Sequence, residues 1–503
     1  MADSIPPGAS NGLQFPDAEL VFGLVFAVGT DSSGVELTLA NYIRRFNYEP
    51  RVVSLSEYIA TIADRVQLDV KLCEHPEADR INSFMDAGNK LRELTGSRDF
   101  VAAAAIADIS RMRRICDGNR LPLPKTVHIL RSLKRPEEVE ILRKIYGPGF
   151  FLIGIFASES ERLNYLTRDK NVARRDSRKL MVRDEDEAME YGQRTRNTFQ
   201  LADVFVRLKN EAYKNQLERF LDLVFGFPYH TPEPDEQAMF LAYSAGLRSG
   251  SLARQVGASI RGASGDIIAV GCNDVPCAGG GLYWPGTGDQ RDHVKRYDSN
   301  DIQLQRIARD VARRLHLSTD LRSVKTLDVL KGSLLLDVTE YGRAVHAEME
   351  ALISCAGNGV SPKNGELSTT TFPCHNCTRH IIAAGIRRVV YIEPYPKSLA
   401  AELHEDAISI GEPMRGTRSA TGEIPFEAFV GVGPRRFFDL FSMKLSQGYE
   451  VHRKRDGRVI RWNRSDAIPR VQMLPSSYLQ REQLTADNVK IKLDELKNQP
   501  RLL

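Results

Sequence analysis

TTTFPCHNCTRHIIAAGIRRVVYIEP, residues 369–394, sets two cysteines three positions apart at the head of an apolar helix and then runs into a strand. Pro373 can open that helix and Gly385 can end it. The thiols of Cys374 and Cys377 share one face, and the partial positive charge of a helix N-terminus favours their thiolate form. Twenty-seven residues separate Cys374 from His346, which lies in GRAVHAEMEALISCAGNG, residues 342–359. There His346, Glu348 and Glu350 stand where a second apolar helix should begin.

A Cys-x-x-Cys pair alone is weak evidence, because redox pairs and chance both produce it. With His346 the set becomes one imidazole and two thiolates, which suits zinc and leaves one tetrahedral position open. His380 as a fourth ligand would lie ~9 Å along the helix axis from Cys374, too far to share the ion, and His375 faces elsewhere. An open zinc site acidifies water, and a carboxylate beside it can take a proton and return it to a leaving group. Glu348 is placed for that work, whereas Glu350 reads as a helix-dipole residue. His-x-Glu followed by Pro-Cys-x-x-Cys is the signature of zinc-dependent nucleobase deaminases, and both halves stand here in order. One zinc per chain is expected, since the other cysteines lack partners at ligand spacing.

Outward from these stretches, 503 residues imply two or three domains, and 42% hydrophobic with 27% charged residues describe a globular protein. The formal net charge of +4 does not by itself suggest nucleic acid. Seven cysteines without a regular framework fit a reducing compartment, so a cytoplasmic location is expected. No apolar run approaches the ~18 residues of a membrane span. MADSIPPGASNGLQFPD reads as part of a flexible leader, 1–18.

ELVFGLVFAV (19–28), RVVSLS (51–56), KTVHILRSL (125–133) and FFLIGIFAS (150–158) read as strands. Helical patterns lie between them near 77–95 and 98–115 and in PEEVEILRKIYG, so an α/β layer with a parallel sheet is expected over 19–230. The basic, then acidic stretch 168–197 reads as a solvated helical face, with a mobile lid as the alternative. A boundary falls in GFPYHTPEPDEQ, with Asp235 as the cap of the next helix. Residues 231–423 then hold that helix, a hairpin around GASGD, a Gly/Trp-rich loop with Cys277, and the two metal-site helices. Residues 424–503 read as a C-terminal extension containing a hairpin at Asp456-Gly457, whose six cations are read as a solvated face.

ARQVGASI, GDIIAVGCN, HAEMEAL and FPCHNCTRHIIAAGIRRVVY occur in the order seen in deoxycytidylate deaminases, and residues 235–395 resemble that family. The resemblance implies a three-layer α/β/α cytidine-deaminase-like domain, with His346, Cys374 and Cys377 on zinc and Glu348 as proton carrier. It also implies substrate contacts at Asn273 and Ala347. The sequence departs from the family at NDVPCAGGGLYW, which replaces a shorter loop. Tyr395 and Lys397, just after the strand, are candidates for the phosphates.

FGLVFAVGTDSSGVE resembles the opening of a P-loop nucleotide kinase, with Gly29, Thr30, Asp31, Ser32, Ser33 and Gly34 as the phosphate turn. In either alignment the motif's lysine is missing: Val35 or Ser32 stands in its place. Phosphoryl transfer is therefore not expected, although amides at a helix N-terminus can still hold an anion, so nucleotide sensing and a purely structural domain are both open.

A degenerate kinase-like domain followed by a deoxycytidylate deaminase resembles the bacterial anti-phage deoxycytidine nucleotide deaminases. RSLKRPEEVEILRKIYG, TRNTFQLADVFV and EPYPKSLAAELHEDAI add to the likeness. It implies dCTP or dCMP as substrate, a homo-oligomer, and a regulatory nucleotide or RNA at the first domain. The alternative is a cytosine or adenine base in RNA or single-stranded DNA. A nonenzymatic sensor is disfavoured, because every catalytic position is intact.

Overall fold

The computed structural model describes residues 15–498 apart from 16, 117, 315–332, 334–337, 339, 395–397 and 412–421. The chain divides into two units, one made of 1–232 with 430–503 and the other of 233–429.

In the first unit the run at 19–28 becomes β1 (Leu20–Val25), buried at every residue, as a strand covered on both faces requires. With β2 (Glu49–Ser54), β3 (Thr126–Arg131), β4 (Phe150–Phe156) and β5 (Val204–Arg207) it forms a parallel sheet in the order β5-β4-β1-β3-β2. The short strand Gly431–Val432 pairs antiparallel with β5. Because the chain moves first to one side of β1 and then to the other, the order reverses beside β1. That reversal opens a crevice at the strands' carboxyl ends. Helix α1 (Ser33–Arg44) follows β1 and buries Val35, Thr38, Leu39 and Ile43.

The segment expected as one extension, 424–503, is divided. Ile424–Ala428 is a strand of the second unit, while 430–503 belongs with the first. Val489 and Leu493 of the helix Pro475–Asn498 pack with Phe100, Ala103 and Ala104. Arg113 also ties this helix down: its Nε and Nη2 donate to Glu482 at 2.6 and 2.7 Å, and its Nη1 donates to Glu19 at 2.8 and 3.0 Å. Tyr478 Oη donates to Glu19 at 2.6 Å. All three charged side chains are fully buried. A strand or helix pattern is local, whereas the choice of packing partner is not, so the division left no mark in periodicity.

The stretch 168–197 is not merely solvated. Its helix Arg174–Glu185 buries Ser177, Leu180, Met181 and Asp184.

The second unit contains α2 (Pro234–Gly246), β6 (Gly257–Arg261), β7 (Ile267–Cys272), α3 (Ala347–Gly357), β8 (Glu366–Thr371), α4 (His375–Ala383), β9 (Arg388–Glu393), β10 (Ile408–Ile410) and β11 (Ile424–Ala428). The sheet order is β10-β11-β9-β8-β6-β7, with β6 antiparallel to both neighbours and the remaining pairs parallel. Asp235 does not cap α2. Pro234 takes the first helical position, so the cap moves to Glu233, and Asp235 instead binds Arg261 at 3.1 Å and Arg388 at 2.9 Å.

Two glycines fix the layers. Gly257 pairs with Cys272 and Ala258 with Gly271, so the two glycines point to opposite faces. A Cβ on Gly257 would overlap the Ala242 carbonyl oxygen of α2, and one on Gly271 would overlap the Ala347 carbonyl oxygen of α3. The helices therefore cover opposite faces, giving helix, sheet and helix as three layers.

Candidate metal centre

Both metal-site helices begin at the same place for related reasons. Val345 N donates to Asp274 O at 2.9 Å, which ties the approach to α3 to the end of β7. His346 then caps α3 in extended conformation, and Cys374 caps α4 likewise. The Cys374 Sγ accepts a hydrogen bond from Cys377 N at 3.5 Å.

His346 Nδ1 lies 3.3 Å from Cys374 Sγ and 3.4 Å from Cys377 Sγ. Among the described residues this is the group of three that could hold a metal ion, its ligand atoms all within 4.8 Å of one another. The thiols are free. One imidazole nitrogen and two sulfurs, gathered at two positive helix ends, fit zinc. Hydrogen bonding from the Cys377 thiol, together with His346, holds Cys374 down at about 4, while the same contact and burial push Cys377 up. The contact with Cys374 raises His346.

Glu348, in the first turn of α3, is 4% exposed, and its Oε2 lies 3.5 Å from Cys377 Sγ. Burial pushes its carboxyl above the usual carboxylate range. Glu350 is only half-buried and its carboxyl is raised by burial too. His375 Nε2 lies 3.3 Å from Glu340, His380 is exposed, and Cys277 Sγ lies 3.0 Å from Gly280 O.

Asn273 sits beside β7 with both ends of its amide engaged. Its Oδ1 accepts from Val256 N at 2.7 Å and its Nδ2 donates to Arg254 O at 2.8 Å, which fastens the loop before β6. Ala347 is fully buried against β7. Tyr395 and Lys397 lie outside the described residues. Gly29, Thr30, Asp31 and Ser32 lie between β1 and α1 in the first unit, and Ser33 and Gly34 open α1. There Asp31 Oδ1 accepts from Ser33 Oγ at 2.5 Å and Ser32 Oγ donates to Glu36 at 2.6 Å.

Sequence reasoning missed Asp274 and Arg254. The buried Asp274 carboxylate accepts from Gly250 N at 3.0 Å and Val275 N at 2.8 Å, holding two loops beside His346. An acid next to Asn273 at a strand end was the available signal, since Asp commonly bonds nearby main-chain amides. Arg254 binds Glu393 at 3.0 Å across 139 residues, a pairing that no local pattern announces.

Residues 232–393 match the family model described as the cytidine and deoxycytidylate deaminase zinc-binding region. The matched family is one of hydrolytic deaminases, and the His346, Cys374 and Cys377 cluster lies within the matched stretch. ComE operon protein 2 of Bacillus subtilis (strain 168) is 40% identical over 78 residues, 15% of this chain and 41% of that protein. The probable deoxycytidylate deaminase of Drosophila melanogaster is 31% identical over 121 residues, 23% of this chain and 59% of that protein. The chain therefore spans 41% and 59% of the length of these two curated relatives. A solved structure of dCMP deaminase from the cyanophage S-TIM5 in apo form aligns with 40% of this chain and 100% of its own at 18% identity, with a TM-score of 0.22. No helix among the described residues is long and apolar enough to cross a membrane.

Proposed function

We propose that the chain deaminates free deoxycytidine nucleotides, dCTP or dCMP, to the deoxyuridine nucleotides and ammonia. The observation that carries this reading is the meeting of His346, Cys374 and Cys377 within 4.8 Å, with the buried Glu348 beside them. The three side chains would hold zinc, which when bound supplies a Lewis acid that brings the pKa of a water toward ~7. Glu348 takes the proton lost by the water that adds to C4 and delivers it to N3. It then moves the proton of the hydroxyl now on C4 to the 4-amino group, so that the C4 carbonyl forms as the C4–N bond breaks and ammonia leaves. Asn273 and Asp274 hold the surrounding loops, and Ala347 and Asn273 are proposed as substrate contacts.

The preference for a free deoxynucleotide rests on the deoxycytidylate deaminases among the relatives and on the motif order from ARQVGASI to FPCHNC. Depletion of dCTP would starve phage DNA synthesis, and a defence role follows from the likeness to anti-phage deaminases. A homo-oligomer is proposed on the same basis. Purified full-length chain should be offered dCMP, dCTP, CTP and a cytosine-containing oligonucleotide side by side, with ammonia and uracil products measured. Turnover of a deoxynucleotide supports the reading. Turnover of the oligonucleotide alone would replace it with deamination of a base in a nucleic acid.

A further inference from the structure

The arm of chain that delivers His346 to the metal centre is braced from behind. Its described residues are 338 and 340–345, and the first turn of the helix Ser299–Arg314 holds them. Ser299 Oγ donates to Tyr341 O at 2.9 Å. Asn300 bonds the arm twice, its Nδ2 donating to Val338 O at 3.0 Å and its Oδ1 accepting from Tyr341 N at 3.2 Å. Further along, Arg343 Nη1 donates to Gln290 O at 3.0 Å and to Asp292 Oδ1 at 2.7 Å. Leu304, Ala308 and Ala312 of the helix are buried, so the brace is itself packed in place.

One acidic side chain of this arm reaches the other half of the site. Glu340 Oε1 lies 3.3 Å from His375 Nε2 and 3.2 Å from Asn376 Nδ2. An ionised carboxylate only accepts, so both nitrogens donate to it. His375 and Asn376 are the two residues between Cys374 and Cys377, and they open α4. A negative charge is favourable at that end of a helix.

The result is a ring of contacts that closes without metal. The three ligand atoms come from two stretches of chain, with His346 Nδ1 at 3.3 and 3.4 Å from the two sulfurs. Glu340 joins those stretches directly, because it stands six residues before His346 and its two bonds grip the turn that carries both thiols. Ligands held in position beforehand lose less freedom when they bind. Outer partners that orient metal ligands are worth about 10- to 100-fold in metal affinity. The Glu340 side chain is 44% exposed, and exposed pairs contribute little to stability, so metal affinity is where its effect should be read.

We propose that Glu340 is a positioning residue of the zinc site, a clamp that sets the Cys374–Cys377 turn against His346 and tightens metal binding. It acts through His375 and Asn376 and is not itself a ligand. The proposal rests on zinc at this cluster and is independent of which nucleotide is deaminated.

The test is competition for zinc between the full chain and a chelator, read as the free zinc concentration at half occupancy. Wild type, Glu340→Ala and Glu340→Gln are compared. Glu340→Ala should bind zinc about tenfold or more weakly, while the circular dichroism of the zinc-loaded chain stays that of wild type. Glu340→Gln keeps an acceptor oxygen and should stay within about twofold of wild type, the scale of an innocuous surface change. With Co²⁺ in place of zinc, the thiolate charge-transfer bands should keep their intensity per bound metal in all three, because the ligands are the same. Zinc affinity of Glu340→Ala within about twofold of wild type would overturn the proposal. A Glu340→Gln variant as weak as Glu340→Ala would overturn it too, since the hydrogen bonds would then not be the cause. Altered cobalt bands or lost secondary structure in Glu340→Ala would replace positioning with a changed ligand set or a general structural role. A wild-type chain that takes up no zinc would overturn the metal reading and the clamp together.

Discussion

Oε2 of Glu348 lies 3.5 Å from Sγ of Cys377, so the carboxylate sits within reach of the metal site yet outside its set of ligands. That placement separates two jobs which substitutions can tell apart.

Glu348→Ala should lose deamination by ~10,000-fold or more, because general acid–base groups contribute ~100- to 10,000-fold and this one serves two proton transfers. Zinc content and melting temperature should stay near wild type. Turnover and metal analysis on the same preparation check both, and a variant keeping a tenth of wild-type turnover would contradict the assignment.

Wild-type chain should carry one zinc, and Cys374→Ser or Cys377→Ser should lose most of it together with activity, since two-coordinate binding is left. A chelator should abolish turnover, and added zinc should restore it. Undiminished zinc in Cys374→Ser would overturn the ligand set.

Gly271→Ala should damage the metal centre from a distance. The added Cβ would overlap the Ala347 carbonyl oxygen and crowd Ala351 N, lifting α3 from β7 and with it His346 and Glu348. Overpacking of this kind costs ~1–3 kcal/mol, read as a lower melting temperature with reduced zinc occupancy. Full occupancy and activity would show that the helix can shift without disturbing the site.

Acid should weaken the first unit through Glu19. Burial opposes ionisation of this carboxyl, but His128 Nε2 at 3.7 Å and the Arg113 guanidinium outweigh burial and hold it down at about 2. Its unfolded value is ~4.3. Because the folded value is the lower one, the stabilisation is present above the unfolded value and is lost as pH falls from there toward 2. Glu482, pushed up by burial on the other side of Arg113, works in the opposite direction. Melting temperatures across this range should fall more steeply for wild type than for Glu19→Gln. Parallel curves would remove Glu19 from the account.

The metal centre was legible because its chemistry demands particular residue types at short spacings: His346-x-Glu348 at one helix start and Cys374-x-x-Cys377 at another. Strands β1, β3 and β4 were legible because burial on both faces leaves largely apolar runs. Pairings across long separations were not. Arg254 with Glu393, Lys134 with Asp184 and Arg113 with Glu482 each join residues whose surroundings in sequence give no hint of the other. The Asp235 expectation failed for a local reason, since Pro234 occupies the first helical position and moves the cap back to Glu233.

The return of 430–503 to the first unit has a consequence for the order in which the chain can mature on the ribosome. All of 233–429 must be synthesised before Gly431–Val432 can reach β5 and before Glu482 can answer the charge of Arg113. The second unit, contiguous in sequence, can close its sheet while the first still waits with an open β5 edge. The metal-site unit is therefore the earlier of the two to be completed, although its residues come later in the chain than β1. A fragment starting at 235 would carry 430–503 away from the strands it completes, so excision of 233–429 is the cut that respects both units.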